Sequence, residues 1–204
     1  MDGKLYLMGK RMTDLVLTIV GLILLSPLFL VIACIIKLAN KKAPVLFKQI
    51  RVGKDGREFY MYKFRSMVEN AEDLKAFLVD QNEAVGPVFK IKQDPRVTKV
   101  GRFIRKTSMD ELPQLFNVLK GEMTLVGPRP PLPEEVDQYT SYEYQRLTVR
   151  PGLTCYWQVS GRSNIGFKEW VELDLKYIQE RNYLIDLKLI FKTVLVLFGS
   201  KNAY

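Results

Sequence analysis

Residues 15–38 read LVLTIVGLILLSPLFLVIACIIKL, an apolar run interrupted only by Thr18, Ser26 and the penultimate Lys37. As a straight helix the run would reach about 36 Å, enough for a hydrocarbon core of about 30 Å, so the segment belongs in lipid. A cleavable signal peptide is the alternative. The run is longer than the usual apolar stretch of such a peptide, however, and residues 35–42 offer no small-residue cleavage site. Ser26-Pro27 sits at the midpoint, where proline removes a backbone donor and crowds the preceding turn, predicting a kink or break. Lys10 and Arg11 precede the run, and Lys37, Lys41 and Lys42 follow it. Basic flanks favour the cytoplasm, so a helix that enters, bends and leaves on one face satisfies both flanks, whereas a straight span exports one. Kinked spanning helices are common and the backbone at a re-entrant bend needs partners, so the residues alone leave both arrangements open.

Beyond Lys42 the period shortens. Residues 45–51 and 57–64 are rich in Val, Phe, Ile and Tyr and are joined by Val52-Gly53-Lys54-Asp55-Gly56, which predicts a β-hairpin with a glycine-assisted turn. It is the one substantial sheet the pattern offers. Met67, Ala71, Leu74 and Leu78 recur at helical spacing within residues 66–79, and residues 81–96, with Gly86-Pro87 and Asp94-Pro95, read as a loop. Residues 110–120 place Leu112, Leu115, Phe116 and Leu119 on one helical face and stop at Gly121, a good C-cap residue. Residues 167–182 repeat the pattern with Trp170, Leu173, Tyr177 and Ile178. Between these helices lie three rigid turns that each carry an arginine: Gly127-Pro128-Arg129-Pro130-Pro131, Arg150-Pro151-Gly152 and Ser160-Gly161-Arg162. Residues 184–198 are apolar but too short to span, with Lys188 and Lys192 spaced to snorkel, so this helix either lies in the membrane interface or packs in the core. The sum is a mainly helical α+β fold without internal repeats.

Composition narrows the chemistry. A chain of 204 residues holds one compact domain plus an anchor. It has no histidine, which removes Ser-His-Asp and Cys-His catalysis and the His-containing zinc sites. Cys34 and Cys155 are far apart, so neither a disulfide framework nor a CxxC site is supported, and a reducing compartment fits. Lys and Arg number 31 against 22 Asp and Glu, for a net charge of +9, which points to an anionic partner: nucleic acid, acidic lipid or a phosphorylated small molecule.

Arg105-Lys106-Thr107-Ser108-Met109-Asp110-Glu111-Leu112-Pro113-Gln114 is the most informative stretch. Ser108 with Glu111 reads as a capping box, with Pro113 tolerable in the first turn. On a helix the neighbours Asp110 and Glu111 diverge by about 100°, so one can face a reacting centre while the other holds a cation. A helix amino end also attracts phosphate. Lys63, Arg65, Arg105, Lys106, Arg129, Arg150 and Arg162 supply cations, several of them on rigid turns that a solvated surface arginine does not need. A carboxylate nucleophile, a divalent metal on a hard oxygen ligand and a cationic cradle suffice for phosphoryl transfer without histidine.

These residues resemble the bacterial sugar transferase family, the monotopic phosphoglycosyl transferases. The likeness covers nearly the whole chain. It includes the basic start and apolar run with Ser26-Pro27, Tyr62-Lys63-Phe64-Arg65-Ser66-Met67, and Ser108-Met109-Asp110-Glu111-Leu112-Pro113-Gln114-Leu115. It continues through Phe116-Asn117-Val118-Leu119-Lys120-Gly121, Leu125-Val126-Gly127-Pro128-Arg129-Pro130, Arg150-Pro151-Gly152-Leu153-Thr154 and Gln158-Val159-Ser160-Gly161-Arg162. The resemblance implies a re-entrant membrane helix broken at Ser26-Pro27, with residues 1–42 as anchor and residues 43–204 as a catalytic domain with interfacial helices, at the cytoplasmic face of the bacterial inner membrane. It implies transfer of a sugar 1-phosphate from a UDP-sugar to undecaprenyl phosphate, through a covalent aspartyl intermediate on Asp110, with release of UMP. Glu111 would ligate Mg²⁺. Lys63, Arg65, Arg105, Arg129 and Arg162 match substrate- or phosphate-binding positions, and Asp174 and Asp186 match acidic positions important for the site. Larger members carry an amino-terminal multispan and nucleotide-fold region that this chain lacks, so it reads as a minimal enzyme or as the catalytic part of a longer one.

Two rivals remain on the residues. A basic membrane module binding nucleic acid or anionic lipid predicts a continuous cationic face with interleaved aromatics, whereas the cations here sit on separate Pro/Gly turns, so no nucleic-acid partner is expected. A lipid-diphosphate hydrolase would use water as the second nucleophile. The sequence names neither the sugar nor the glycan pathway, and the apolar carboxyl-terminal helix leaves a homodimer open.

Overall fold

The computed structural model describes residues 3–83, 86–160 and 166–199. Helix α1, Gly3–Ala39, is a single element that begins well before the apolar run and continues through Pro27. The expected break does not end it, and a local bond shows why. Proline has no N–H to offer the Ile23 carbonyl one turn earlier, and the Ser26 hydroxyl donates to that carbonyl instead at 2.8 Å.

The hairpin forms as expected from β1 (Leu46–Val52) and β2 (Glu58–Phe64), antiparallel with Leu46 opposite Phe64 and Val52 opposite Glu58. Its turn needs positive φ at Asp55 (57°) and Gly56 (77°), the latter free of Cβ strain. Alternation puts Phe59 and Met61 on the buried face, against Val118 and Met123, and places Lys63 next in line on that face. Phe64, on the other face, joins Ile32, Ile36 and Ile104.

The helix expected over 66–79 is much shorter. Ser66 and Met67 stay extended, because Met67 bridges Val97 and the Ser66 carbonyl accepts from Thr98 N–H at 3.0 Å. Only α2 (Ala71–Lys75) and a 3₁₀ segment, Ala76–Gln81, are helical there. A helix absent from the sequence expectation, α3 (Lys99–Lys106), follows the loop, capped by the Thr98 hydroxyl accepting from Gly101 N–H. The expected helix over 110–120 divides into a 3₁₀ turn, Met109–Glu111, and α4, Gln114–Lys120, which ends on Gly121 at φ 81° as foreseen.

Two short strands, β3 (Thr124–Val126) and β4 (Gly152–Thr154), add a second, parallel pair. Between them lie α5 (Pro133–Val136) and α6 (Ser141–Tyr144). Helices α7 (Tyr156–Ser160), α8 (Phe167–Glu180) and α9 (Tyr183–Gly199) follow among the described residues, with Val126, Cys155, Tyr177 and Leu189 as a shared core. Leu189 and Asp186 of α9 are buried while Leu184, Phe191 and Leu195 are exposed, so the helix is at once a core element and an apolar surface.

Both halves of α1 dock on this unit. Arg11 donates to the Val118 and Leu119 carbonyls at 2.7 and 3.0 Å, satisfying the open end of α4. Asp14 accepts from the Thr124 hydroxyl and from Leu125 N–H. Beyond Pro27, Phe29 meets Phe64 and Phe116 edge-on at 5.3 and 6.1 Å. The opposite side of α1 exposes Met8, Met12, Val16, Ile19, Ile23, Leu24, Leu30, Val31 and Leu38, an apolar surface suited to lipid.

Candidate active site

Three elements converge on Asp110. The 3₁₀ turn that carries it follows α3 through Ser108, whose φ of 54° reverses the chain. The expected capping box is absent. The Ser108 side chain makes no cap bond, the Glu111 N–H donates to the Ser108 carbonyl at 3.2 Å, and the Glu111 carboxylate meets Lys63 on β2, with Nζ 2.8 Å from Oε1. From the last turn of α3, Arg105 donates through Nε to the Ser66 hydroxyl at 2.9 Å.

Asp110 is buried, at 7% exposure, whereas the Glu111 side chain is 46% exposed. Burial pushes the Asp110 carboxyl up to about 6, against the opposing charges of Lys63 and Arg105 and with help from Glu111. At neutral pH it is mostly ionised and poorly solvated, a state that suits an oxygen nucleophile. Glu111 is the accessible neighbour, so the two carboxylates do have different surroundings, as their adjacency suggested.

A second cationic group adjoins the first. Arg51, unnoticed in the sequence, is buried on β1 and donates to the Pro130 carbonyl at 3.0 Å and to Gln49 Oε1 at 2.8 Å. Burial lowers its basicity, as does the charge of Arg129, while Glu135 and Glu111 oppose, so it electrically links both groups. Arg129 rises from the proline-rich turn with Nη1 3.4 Å from Glu135 and its guanidinium 5.1 Å from the Trp170 ring. Period-2 alternation in β1 was the only sequence signal for Arg51, and nothing local marked Glu135.

The remaining candidates lie elsewhere. Arg65 donates to the Pro44 carbonyl at 2.8 Å and stacks over Phe47, so it braces the start of the hairpin. Asp174 is fully buried against Arg146, at 2.9 Å from Nε and 2.8 Å from Nη2, and Arg146 in turn donates to the Arg129 carbonyl at 3.2 Å. Asp174 thus sits behind the Arg129 turn rather than beside Asp110. Asp186 accepts from Tyr6 at 2.9 Å, Lys10 at 3.1 Å and Tyr177 at 2.7 Å, which docks α1 on α9. Ser26 and Pro27 lie within α1, and Arg162 falls outside the described residues.

Among the described residues, no three acidic or sulfur side chains cluster as a self-sufficient cation site. Asp110 with the exposed Glu111 nevertheless fits Mg²⁺, which typically takes one or two carboxylates and completes its shell with water and substrate phosphates. The arrangement offers a carboxylate nucleophile, a hard cation ligand and fixed positive charges, with no proton shuttle of the histidine kind.

Comparison with known proteins identifies the family. The family model described as bacterial sugar transferase matches residues 5–200. The chain is 46% identical over 197 residues to the galactosyl transferase CpsE of Streptococcus agalactiae, covering 96% of this chain and 43% of that protein. It is 43% identical to the undecaprenyl-phosphate galactose phosphotransferase of Salmonella typhimurium, over 96% of this chain and 41% of that protein. Against the exopolysaccharide production protein ExoY of Sinorhizobium fredii, identity is 38%, with 96% of this chain and 88% of that protein covered. The chain therefore spans about two fifths of the length of the first two relatives and most of the third.

Proposed function

The chain belongs to the bacterial sugar transferase family, and from that premise we propose that it transfers a sugar 1-phosphate from a UDP-sugar to undecaprenyl phosphate at a membrane, in exopolysaccharide, capsule or related glycoconjugate assembly. The observation that carries the proposal is the buried Asp110 carboxylate set among Lys63, Arg105 and Glu111.

In the first step an Asp110 carboxylate oxygen attacks the sugar-bearing phosphorus of the donor. That oxygen–phosphorus bond forms as the bond to the bridging oxygen breaks, and UMP leaves with the electron pair, so no proton transfer is required. In the second step a phosphate oxygen of undecaprenyl phosphate attacks the same phosphorus and frees the Asp110 carboxylate. Lys63 and Arg105 hold negative charge near the reacting phosphorus, and Arg129 with Arg51 behind it extends the cationic surface towards the rest of the donor. Mg²⁺ held by Glu111 would neutralise phosphate charge there.

The acceptor is a lipid, and the exposed side of α1 suits one. A bilayer-crossing helix normal to the membrane would separate its two ends by the bilayer. Here residues on both sides of Pro27 pack on one globular unit: Tyr6, Lys10 and Asp14 near one end, Ile32 and Ile36 near the other. That favours a re-entrant disposition with both ends on the cytoplasmic face of the bacterial inner membrane.

The test is UMP release by the detergent-solubilised chain with Mg²⁺ and a panel of UDP-sugars, with and without undecaprenyl phosphate. Acceptor-dependent lipid product from one donor is expected, with a loss of about a thousandfold or more in Asp110→Asn. Release by Asp110→Asn at the wild-type rate would overturn the covalent route.

A further inference from the structure

We propose that Lys63 is a placeholder for the divalent cation: in the free protein its ammonium occupies Glu111, and cation binding displaces it onto a phosphate oxygen of the incoming nucleotide. The inference rests on the reading of Glu111 as the cation ligand and deepens it.

Among the described residues, Lys63 and Arg105 act on Asp110 and Arg51 on Glu111, and the three cations are held differently. Arg105 is tied to the Ser66 hydroxyl. Arg51 is tied to the Pro130 carbonyl and to Gln49. Lys63 instead bonds the very carboxylate a cation requires, at 2.8 Å, with both side chains partly exposed at 24% and 46%. A partly solvated ion pair of this kind exchanges partners at little cost. The lysine stem is fixed, because register places Lys63 opposite Phe47 and one alternation beyond Met61, but the four-carbon side chain lets its head move while the backbone stays.

Electrostatics supply the direction of the exchange. A doubly charged ion on Glu111 would stand within a few ångströms of the ammonium, well inside the screening length, and repel it. Without nucleotide the displaced ammonium would remain near the positive charge of Arg105, which acts on the same Asp110 carboxyl. A diphosphate brings the negative charge that accepts it. Cation and nucleotide therefore favour each other, and by linkage the effect is reciprocal. The bare protein binds cation weakly, and the Lys63–Glu111 pair keeps the two carboxylates compensated until the donor arrives.

The test is Mn²⁺ binding to the full chain in detergent without nucleotide, read as loss of the free-Mn²⁺ electron paramagnetic resonance signal. Lys63→Met is expected to tighten Mn²⁺ binding about tenfold, since the competitor is gone. Lys63→Arg retains the charge and should stay near wild type, and Glu111→Gln should remove binding in either background. Equal or weaker binding by Lys63→Met overturns the placeholder role, as does tightening by Lys63→Arg to the same extent. Unchanged Mn²⁺ binding in Glu111→Gln overturns the cation ligand and the placeholder with it. UMP release by the wild-type chain in the same preparation reports on the transferase reading separately.

Discussion

At Asp110 burial outweighs every neighbouring charge, and the consequence is a carboxyl pushed up to about 6. In the proposed transfer Asp110 attacks as a carboxylate and must be ionised, so that rate should fall about tenfold per pH unit below this value in a pH–rate profile. Stability runs the other way. An unfolded Asp titrates at about 3.9, so between roughly pH 4 and 6 the folded chain binds more protons, and this group's contribution to stability is lost as pH rises through that window. Asp110→Asn should therefore melt above wild type at pH 7.5, by up to about 3 kcal/mol of unfolding free energy, with a smaller gap at pH 5. Thermal denaturation of both proteins at the two pH values checks it. Asp110 and Glu111 were legible in the sequence as neighbouring carboxylates. Ser108 was misread, because a left-handed φ at a serine has no compositional signature, and the capping box gave way to the Lys63 pair.

Among the elements, α3 carries Arg105, leads into the turn that bears Asp110, and was not foreseen. Its apolar positions, Val100, Phe103 and Ile104, are too few for a convincing period, and Thr98 alone is a weak start signal. What holds α3 in place is a close approach: a Cβ on Gly101 would stand 1.8 Å from the Ser66 carbonyl oxygen. Gly101→Ala should push α3 off the 66–67 segment, lowering stability by about 2–4 kcal/mol and reducing UMP release by shifting Arg105 and the turn after it. Gly3→Ala, where the added carbon meets nothing, serves as the neutral control in the same melting and activity measurements. The same pairing explains the shortened helix over 66–79, since a strand bridge to Val97 captured residues whose local pattern was helical.

For the whole molecule the deciding feature is the length over which α1 is bound. Lys10 and Asp186, with Tyr6 and Tyr177, form a buried polar junction at one end, and Ile32 and Ile36 seal the other in hydrocarbon contacts. If both ends lie on one side of the membrane, Gly3→Cys and Asn40→Cys, each in a Cys34→Ala background, should react with an impermeant maleimide in inverted vesicles and be protected in intact spheroplasts. Labelling of the two sites from opposite sides would establish a spanning helix instead. Cys155, fully buried, contributes no background.

The sequence by itself determined the long apolar helix, the hairpin, the acidic pair and the family likeness, because each is written in neighbouring residues or in a period of two to four. Tertiary structure alone decided that Lys63 meets Glu111, that Arg51 backs the Arg129 turn and that Asp186 receives α1. Those partners are 48, 78 and 176 residues apart for Lys63–Glu111, Arg51–Arg129 and Lys10–Asp186. Burial and register bring them together, and neither is a property of a local stretch of chain.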